Sequence, residues 1–390
     1  MSLSSDGSFG IAQLRSVLEN GLDQVAVDFR DRWGSAGASF ERSVVFHGTG
    51  QLGQESLRMF RNATGHTPVA FTDNDSTRWG SQVNGVEIMG PAAAIDRWGE
   101  TGVFVATLYN PAAVMSQLRD AGASVVVPWH WMFAADEEHF LPYWGLDIPE
   151  RVFAKPDRVL AAAEVWADDR SQQIYLEQLR WLMTLDSDAL SKRLPLEDAY
   201  FDPELIELSG RETFVDCGAF DGDSFSLFRQ RTSGQFEAAY LIEPDPENYE
   251  ELNRWHGTLS KEDQSRIMLS NCALGRQAGV ARFAAKGEVD SSLDEAGELE
   301  VTVCSLDSLV PASDASFVKV DVEGGEIDLI GGASEILAEK RSTWTVMAYH
   351  RPDHLWEIPL ELAQFGGRDL HIRRYAEDCW ERCIYAVPQR

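Results

Sequence analysis

The sequence predicts an α/β protein built from two doubly wound, Rossmann-like domains, and three observations carry that expectation. An apolar strand, a glycine turn, a helix and a second strand ending at an acid occur twice, at residues 43–73 and 213–243. Throughout the chain, apolar stretches of strand length alternate with segments of helical period, the pattern that builds parallel sheets. No apolar run approaches the ~20 residues a membrane span requires. At 390 residues the chain is long enough for two or three domains of ~150 residues. The expected boundaries are a first domain over 1–145, a helical connector over 146–200 and a second domain over 201–390.

In the first half, Ile11, Leu14, Val17, Leu18, Leu22, Val25 and Phe29 recur at helical spacing and predict one amphipathic helix. Residues 43–47 predict a strand that enters a Gly-x-Gly-x-x-Gly turn at Gly48, Gly50 and Gly53. The next strand, 68–72, ends at Asp73, twenty residues after Gly53. A strand at 83–89, another at 103–107, a helix at 111–121 and a strand at 124–128 complete a parallel sheet. Trp129, Trp131, Phe140 and Trp144 then form either an aromatic wall for a sugar ring or packed core. Helical period over 156–193, without a Gly/Ser-rich tract, predicts the connector.

Gly48, Gly50, Gly53 and Asp73 satisfy the dinucleotide fingerprint, so a nucleotide or nucleotide-sugar acceptor could dock there. No Tyr-x-x-x-Lys pair follows for hydride transfer. A nucleotide-binding oxidoreductase or sensor is the alternative function this turn supports, and a domain that has lost its ligand is the third reading.

In the second half, the strand at 213–215 runs into a turn carrying Gly218 and Gly222. The strand at 239–242 ends at Glu243, twenty-one residues after Gly222, where a carboxylate can accept hydrogen bonds from both ribose hydroxyls. Gly218 is expected to let the backbone pass close under a ligand, and Gly222 to let the next helix sit tightly on the strand. Asp216, Asp221 and Asp223 make this turn acidic. Such a turn repels a pyrophosphate and suits a cationic or zwitterionic ligand such as S-adenosylmethionine; the structural alternative is an Asp pair capping the helix. Strands at 267–270, 281–284, 300–304, 316–320 and 343–348, with a closing hairpin over 370–387, continue this sheet into the seven-stranded layout expected of class I methyltransferases.

Asp321 and Glu323 follow the fourth strand and His350 the fifth, at the carboxyl edge where open α/β sheets bind ligands. An alcohol is a poor nucleophile near neutral pH. These residues could supply a carboxylate–histidine base, or hold a divalent ion that lowers the acceptor's pKa. The metal-free form is the expectation, because Mg²⁺ and Ca²⁺ want more oxygen ligands. The structural alternatives are Asp321 capping the next helix and His350 as a turn residue beside Pro352.

A net charge of −29 and a pI near 4.6 argue against nucleic-acid and anionic-membrane partners. The expected partners are a small-molecule or glycan acceptor and further copies of the chain. The start of the chain is polar and small, unlike a secretory leader, which suggests a cytoplasmic protein. Five cysteines, odd in number and without Cys-x-x-Cys spacing, indicate free thiols; Cys379 and Cys383 sit in a stretch that reads as strand.

On four elements the second half resembles the FkbM family of S-adenosylmethionine-dependent methyltransferases. They are Val-Asp-Cys-Gly-Ala-Phe-Asp-Gly-Asp at 215–223, Glu-Pro-Asp-Pro-Glu-Asn-Tyr at 243–249, Ser-Leu-Asp-Ser-Leu at 305–309 and Lys-Val-Asp-Val-Glu-Gly-Gly-Glu at 319–326. The resemblance runs from about residue 200 to the C-terminus, with Gly325 standing where many members carry Ala. It implies a class I fold and methyl transfer to a hydroxyl oxygen of a sugar, nucleotide-sugar or natural product. It further implies that Asp216, Gly218, Ala219 and Gly222 line the methionine end of the cofactor, Glu243 and Pro244 the ribose, and Asn271, Cys272 and Ala273 the adenine.

Overall fold

The computed structural model describes residues 9–108, 111–187, 190–284, 292–293, 299–376 and 380–389. It divides into two compact units, residues 1–156 with 177–192, and residues 157–176 with 193–390.

In the first unit the N-terminal apolar pattern forms two helices, α1 (Ile11–Asn20) and α2 (Leu22–Asp31), where one was expected. Gly21 ends α1: its N–H bonds the Val17 carbonyl at 2.7 Å, and a β-carbon there would meet that oxygen at 2.8 Å. Asn20-Gly21 is thus a stop signal inside a continuous apolar period. The chain continues through β1 (Val44–His47), α3 (Gln51–Thr64), β2 (Ala70–Thr72), β3 (Gln82–Val83), β4 (Val86–Met89), α4 (Pro91–Trp98), β5 (Val103–Ala106), α5 (Ala112–Asp120) and β6 (Val126–Pro128). The single strand expected at 83–89 is a short hairpin, because Asn84-Gly85 turns the chain with both residues at positive φ.

These strands form one sheet in the order β3-β4-β2-β1-β5-β6, parallel except for β3. β1 and β5 are buried at every position, as strands covered on both faces must be. Strand order reverses between β1 and β5, so the Gly48 turn follows β1 at the topological switch point. After β6 come α6 (Trp131–Ala135), α7 (Glu137–Phe140) and α8 (Glu150–Phe153). Trp129, Trp131 and Phe140 are buried, and Trp129 packs edge-on against Phe133 and Tyr143 at 5.1 and 5.7 Å. The aromatic cluster is therefore core of this unit. Two more helices follow, α9 (Pro156–Ala162), which apart from Pro156 belongs to the second unit, and α10 (Asp169–Thr184), whose residues 169–176 belong to the second unit and 177–184 to the first.

The second unit is built on β7 (Thr213–Cys217), α11 (Asp223–Arg231), β8 (Ala238–Ile242), α12 (Pro246–Gly257), α13 (Lys261–Arg266) and β9 (Ile267–Ser270). Next come β10 (Ala273–Leu274), β11 (Gly279–Ala284), β12 (Ser292–Leu293), β13 (Leu299–Cys304), α14 (Leu306–Leu309), β14 (Phe317–Val320), α15 (Glu326–Gly331) and α16 (Ser334–Ala338). The chain closes with β15 (Thr343–Met347), α17 (His354–Ala363), β16 (Arg368–Arg374) and β17 (Arg382–Pro388). The main sheet has seven strands in the order β16-β17-β15-β14-β7-β8-β9, with β17 antiparallel to both neighbours. That is the class I methyltransferase layout. One expectation is corrected: β11 and β13 do not continue this sheet but form a separate four-stranded sheet with β10 and β12. The reason lies in their pattern, since β13 alternates exposed Glu300 and Thr302 with buried Val301 and Val303 and so has one wet face.

A phenylalanine stack fills the space beside β7: Phe214 and Phe228 lie parallel at 4.5 Å, with Phe201, Phe225 and Phe317 around them. Each such ring contributes roughly 1.5–3 kcal/mol by burial, enough to fix α11 on the sheet. Among the described residues no helix is long and apolar enough to cross a membrane. Cys217, Cys272, Cys304 and Cys383 are free thiols; Cys379 lies outside the described residues.

Candidate active site

Strand order in the second unit reverses between β7 and β14, so the loops after these two strands flank the crevice of the sheet. They touch. Gly218 has φ +88°, and a β-carbon on it would meet the Asp321 carbonyl oxygen at 1.9 Å. The neighbouring loop by itself therefore demands glycine here, in addition to the left-handed φ. Gly222, at φ +91°, would meet Leu252 of α12 at 3.1 Å, so it serves the packing of α12 on the turn.

The residues expected around a cofactor occupy three neighbouring strand ends: Asp216, Gly218, Ala219 and Gly222 at β7, Glu243 and Pro244 after β8, Asn271, Cys272 and Ala273 after β9. Asp245 caps α12 by accepting from the Glu247 and Asn248 amides, with Pro246 at the first helical position. That cap fixes Glu243 just before it. Glu243 is 5% exposed; one oxygen accepts from the Phe220 amide at 2.8 Å and the other from the Asp245 amide at 2.9 Å. Phe220 is held at φ +47° to make that bond. Burial pushes the Glu243 carboxyl up, against the pull of those two amides. Each oxygen keeps a second lone pair for a ligand hydroxyl. Asn271 donates to the Glu243 and Pro244 carbonyls at 2.8 and 3.2 Å, tying the ends of β8 and β9 together.

Asp216 is fully buried and already used. It accepts from the Ser224 hydroxyl at 2.6 Å and lies 3.1 Å from Lys319 Nζ, which also donates to the Gly218 carbonyl at 2.6 Å. Burial opposes the Lys319 charge, yet Asp216, Asp321 and Asp223 outweigh it and hold the ammonium above its ordinary value. The acidity a cationic ligand would meet in this turn is therefore that of Asp221 and Asp223. Both also make turn bonds: Asp221 accepts from the Asp223 amide and Asp223 from the Ser224 amide, while α11 itself has no side-chain cap.

The second half of the site follows β14. Glu323 at φ +52° and Gly324 at φ +105° fold the loop back, so that Glu326, completely buried, accepts from the Val322 and Gly324 amides at 3.1 and 3.4 Å. The same oxygen lies 2.7 Å from His350 Nδ1. The other imidazole nitrogen, Nε2, lies 3.2 Å from Asp321 Oδ1 and 3.5 Å from Glu323 Oε2. Asp321 Oδ2 accepts from the Tyr200 hydroxyl at 2.6 Å, and His354 Nδ1 stands 3.2 Å from the second oxygen of Glu326. Asp321 does not cap a helix, since α15 begins at a Gly325 cap without side-chain bonds. Asp321, Glu323 and His350 thus meet as the strand-end argument expected.

Four further residues belong to this cluster and were missed: Glu326, His354, Tyr200 and Glu381. The His350–His354 spacing of one helical turn and the Glu-Gly-Gly-Glu run were readable signals for two of them. Nothing local points to Tyr200 or Glu381.

The charges are strongly coupled. Burial opposes ionisation of Glu326, but His350 and His354 win and hold its pKa at about 2. Burial likewise opposes ionisation of Asp321, and His350, Lys319 and Tyr200 hold it well below the carboxylate range. For His350 burial favours the neutral ring, while Glu326, Asp321 and Glu323 drive its pKa well above 6.5. Glu381 is pushed up to about 7 by burial and by Asp321. Asp321, Glu326 and His350 also present ligand atoms within 4.8 Å of one another, a spacing that a divalent ion could bridge.

In the first unit, Gly48 sits at φ +106° and a β-carbon on Gly53 would meet the Gly48 carbonyl oxygen at 2.1 Å, whereas the space around Gly50 is open. The Asp73 carboxylate accepts from the Thr49 hydroxyl and amide and from the Asp75 amide at 2.9 Å. Arg78 donates to Thr49 Oγ1 at 2.5 Å and lies 3.9 Å from the Asp73 carboxylate. The acid expected to take a ribose is thus engaged in pinning the glycine turn to the end of β2.

Residues 216–381 match the family described as the methyltransferase FkbM domain. The span runs from the last two residues of β7 to the residue before β17 and includes Asp216, Glu243, Asp321, Glu326 and His350. Residues 216–381 of this chain are an FkbM methyltransferase domain.

A crystal structure of methyltransferase FkbM from Methylobacillus flagellatus KT superimposes with a TM-score of 0.76 at 22% identity, over 97% of this chain and 100% of that one. At that identity the likeness establishes the fold. The pyocyanin biosynthetic protein PhzM (TM-score 0.26, 13% identity, 54% of this chain and 58% of that one) and LepI in complex with SAM (0.25, 15%, 62% and 66%) are too distant to carry an argument. No curated protein matches the chain. Tyr200 lies outside the span matched to the FkbM domain, although its hydroxyl meets that domain's Asp321.

Proposed function

We propose that this protein is an S-adenosylmethionine-dependent O-methyltransferase, acting on a hydroxyl of a sugar, nucleotide-sugar or natural-product scaffold, with His350 taking the acceptor's proton. The observation that carries the reading is the placement of His350 between carboxylates on a loop whose Asp321 carbonyl abuts the cofactor turn at Gly218. The cofactor, when bound, supplies an electrophilic methyl group on sulfur. Glu243 would hold the ribose hydroxyls, and Asp221 and Asp223 would face the cationic end.

His350 works as the middle of a triad. Glu326, fixed by two backbone amides, holds the Nδ1 proton and sets the ring's orientation. That leaves Nε2 as the atom that receives a proton, and Asp321 and Glu323 stabilise the imidazolium that results. Because the surrounding carboxylates keep His350 protonated above its ordinary range, the base form is populated only at higher pH, and turnover rises with pH through that pKa. An ion at Nε2 would leave the 2.7 Å contact between Nδ1 and Glu326 in place, so the effect of a chelator on turnover separates a metal-bound cluster from the metal-free base. Incubation with S-adenosylmethionine and a panel of sugars, nucleotide-sugars and natural-product alcohols, read by mass spectrometry, tests the proposal. A gain of one CH₂ on an acceptor hydroxyl is the expected result, and methylation of carbon or nitrogen would refute the assignment.

A further inference from the structure

Tyr200 is the one residue of the cluster supplied by the segment ahead of β7. Its backbone is held at φ +68°, a left-handed conformation that a side chain disfavours and that surrounding structure must impose. The ring rests against the phenylalanine core and lies 5.3 Å from the Lys319 ammonium. Lys319 is in turn bonded to the Gly218 carbonyl of the cofactor turn. The hydroxyl donates to Asp321 Oδ2 at 2.6 Å. Packing alone would be met by a phenylalanine; the hydroxyl is what the carboxylate uses.

The consequence is geometric. A carboxylate beside an imidazole can rotate about its own axis and swing away unless its far oxygen is tied. Here Oδ2 is tied to Tyr200, which leaves Oδ1 directed at His350 Nε2, 3.2 Å away. The Nδ1 side is fixed independently by Glu326. Without Tyr200, Nε2 keeps Glu323, at 3.5 Å, as its remaining carboxylate neighbour.

We propose that Tyr200 is a positioning residue that orients the Asp321 carboxylate against His350 Nε2 and, through its contact with Lys319, keeps that pair in register with the cofactor turn. The proposal rests on the reading of His350 as proton acceptor.

Its test needs no acceptor. The protein is labelled with ¹⁵N-histidine, His350 is assigned among the eight histidines by His350→Gln, and the imidazole nitrogens are compared at one pH in wild type and Tyr200→Phe. The expected result is displacement of the Nε2 resonance, with the Nδ1 resonance, governed by Glu326, nearly unmoved. Asp321→Asn reaches the same contact from the other side and should displace the same resonance, which keeps the test decisive if Tyr200→Phe does not fold. Calorimetry with S-adenosylhomocysteine should give equal affinity in wild type and Tyr200→Phe. With an acceptor in hand, turnover should fall about 10²-fold at unchanged KM, the size of effect a misplaced group produces. An unmoved Nε2 resonance in either variant overturns the proposal. Failure of the wild type to bind S-adenosylhomocysteine would instead remove the methyltransferase reading and leave the resonance result standing.

Discussion

Replacing Glu326 with glutamine removes a charge but not a shape, and the structure sets the size of the effect. Glu326 is completely buried and its pKa falls from 4.5 to about 2, so its ionised form is favoured in the folded state by roughly 3 kcal/mol. The group's folded pKa is depressed, so this stabilisation is fully present above pH 4.5 and is lost as pH falls toward 2. Glu326→Gln should therefore unfold in urea with about 3 kcal/mol less stability than wild type at pH 7, and the gap should close progressively below pH 4.5. Removing one negative charge beside His350 also lowers the imidazole's pKa, so the rising limb of the rate–pH profile should move to lower pH. A gap of the same size at pH 7 and pH 3, or no gap, would refute the claim that the buried carboxylate is held by the two histidines.

Further outcomes follow from the same geometry. His350→Ala and Asp321→Asn should each lower turnover ~10² to 10⁴-fold, the usual contribution of a general base, while S-adenosylhomocysteine affinity by calorimetry stays as in wild type. A chelator should leave wild-type turnover unaltered; inhibition rescued by Mg²⁺ or Mn²⁺ would transfer the role of the cluster to a bound cation. In the first unit, Gly53→Ala should lose about 1–3 kcal/mol in a thermal melt, because its β-carbon overlaps the Gly48 carbonyl, whereas Gly50→Ser should melt within about 0.5 kcal/mol of wild type.

Much of this site was legible because an open α/β sheet announces its crevice. Glycine turns after apolar strands located the ends of β1 and β7, and counting strands put Asp321, Glu323 and His350 on one edge. What escaped was whatever depends on contacts distant in sequence. Lys319 neutralises Asp216 from 103 positions away, and Tyr200 reaches Asp321 across 121. For Gly218 the sequence shows that a side chain is missing but not that the Asp321 carbonyl lies where it would stand. Asp73 fell at the spacing for a ribose, but its bonds to Thr49 and to the Asp75 amide were not legible from that spacing. The small sheet of β10 to β13 was misplaced although its one-sided alternation was visible, since strand count alone does not say which edges pair.

If the turn after β7 and the acid after β8 bind S-adenosylmethionine, calorimetric titration of S-adenosylhomocysteine into wild type and Glu243→Ala will show it. Micromolar binding to wild type and at least a tenfold loss in the variant are expected, since the charge-assisted hydrogen bonds to the ribose are worth about 1.5–3 kcal/mol. Absence of binding to wild type, or equal affinity in a folded Glu243→Ala, would contradict it.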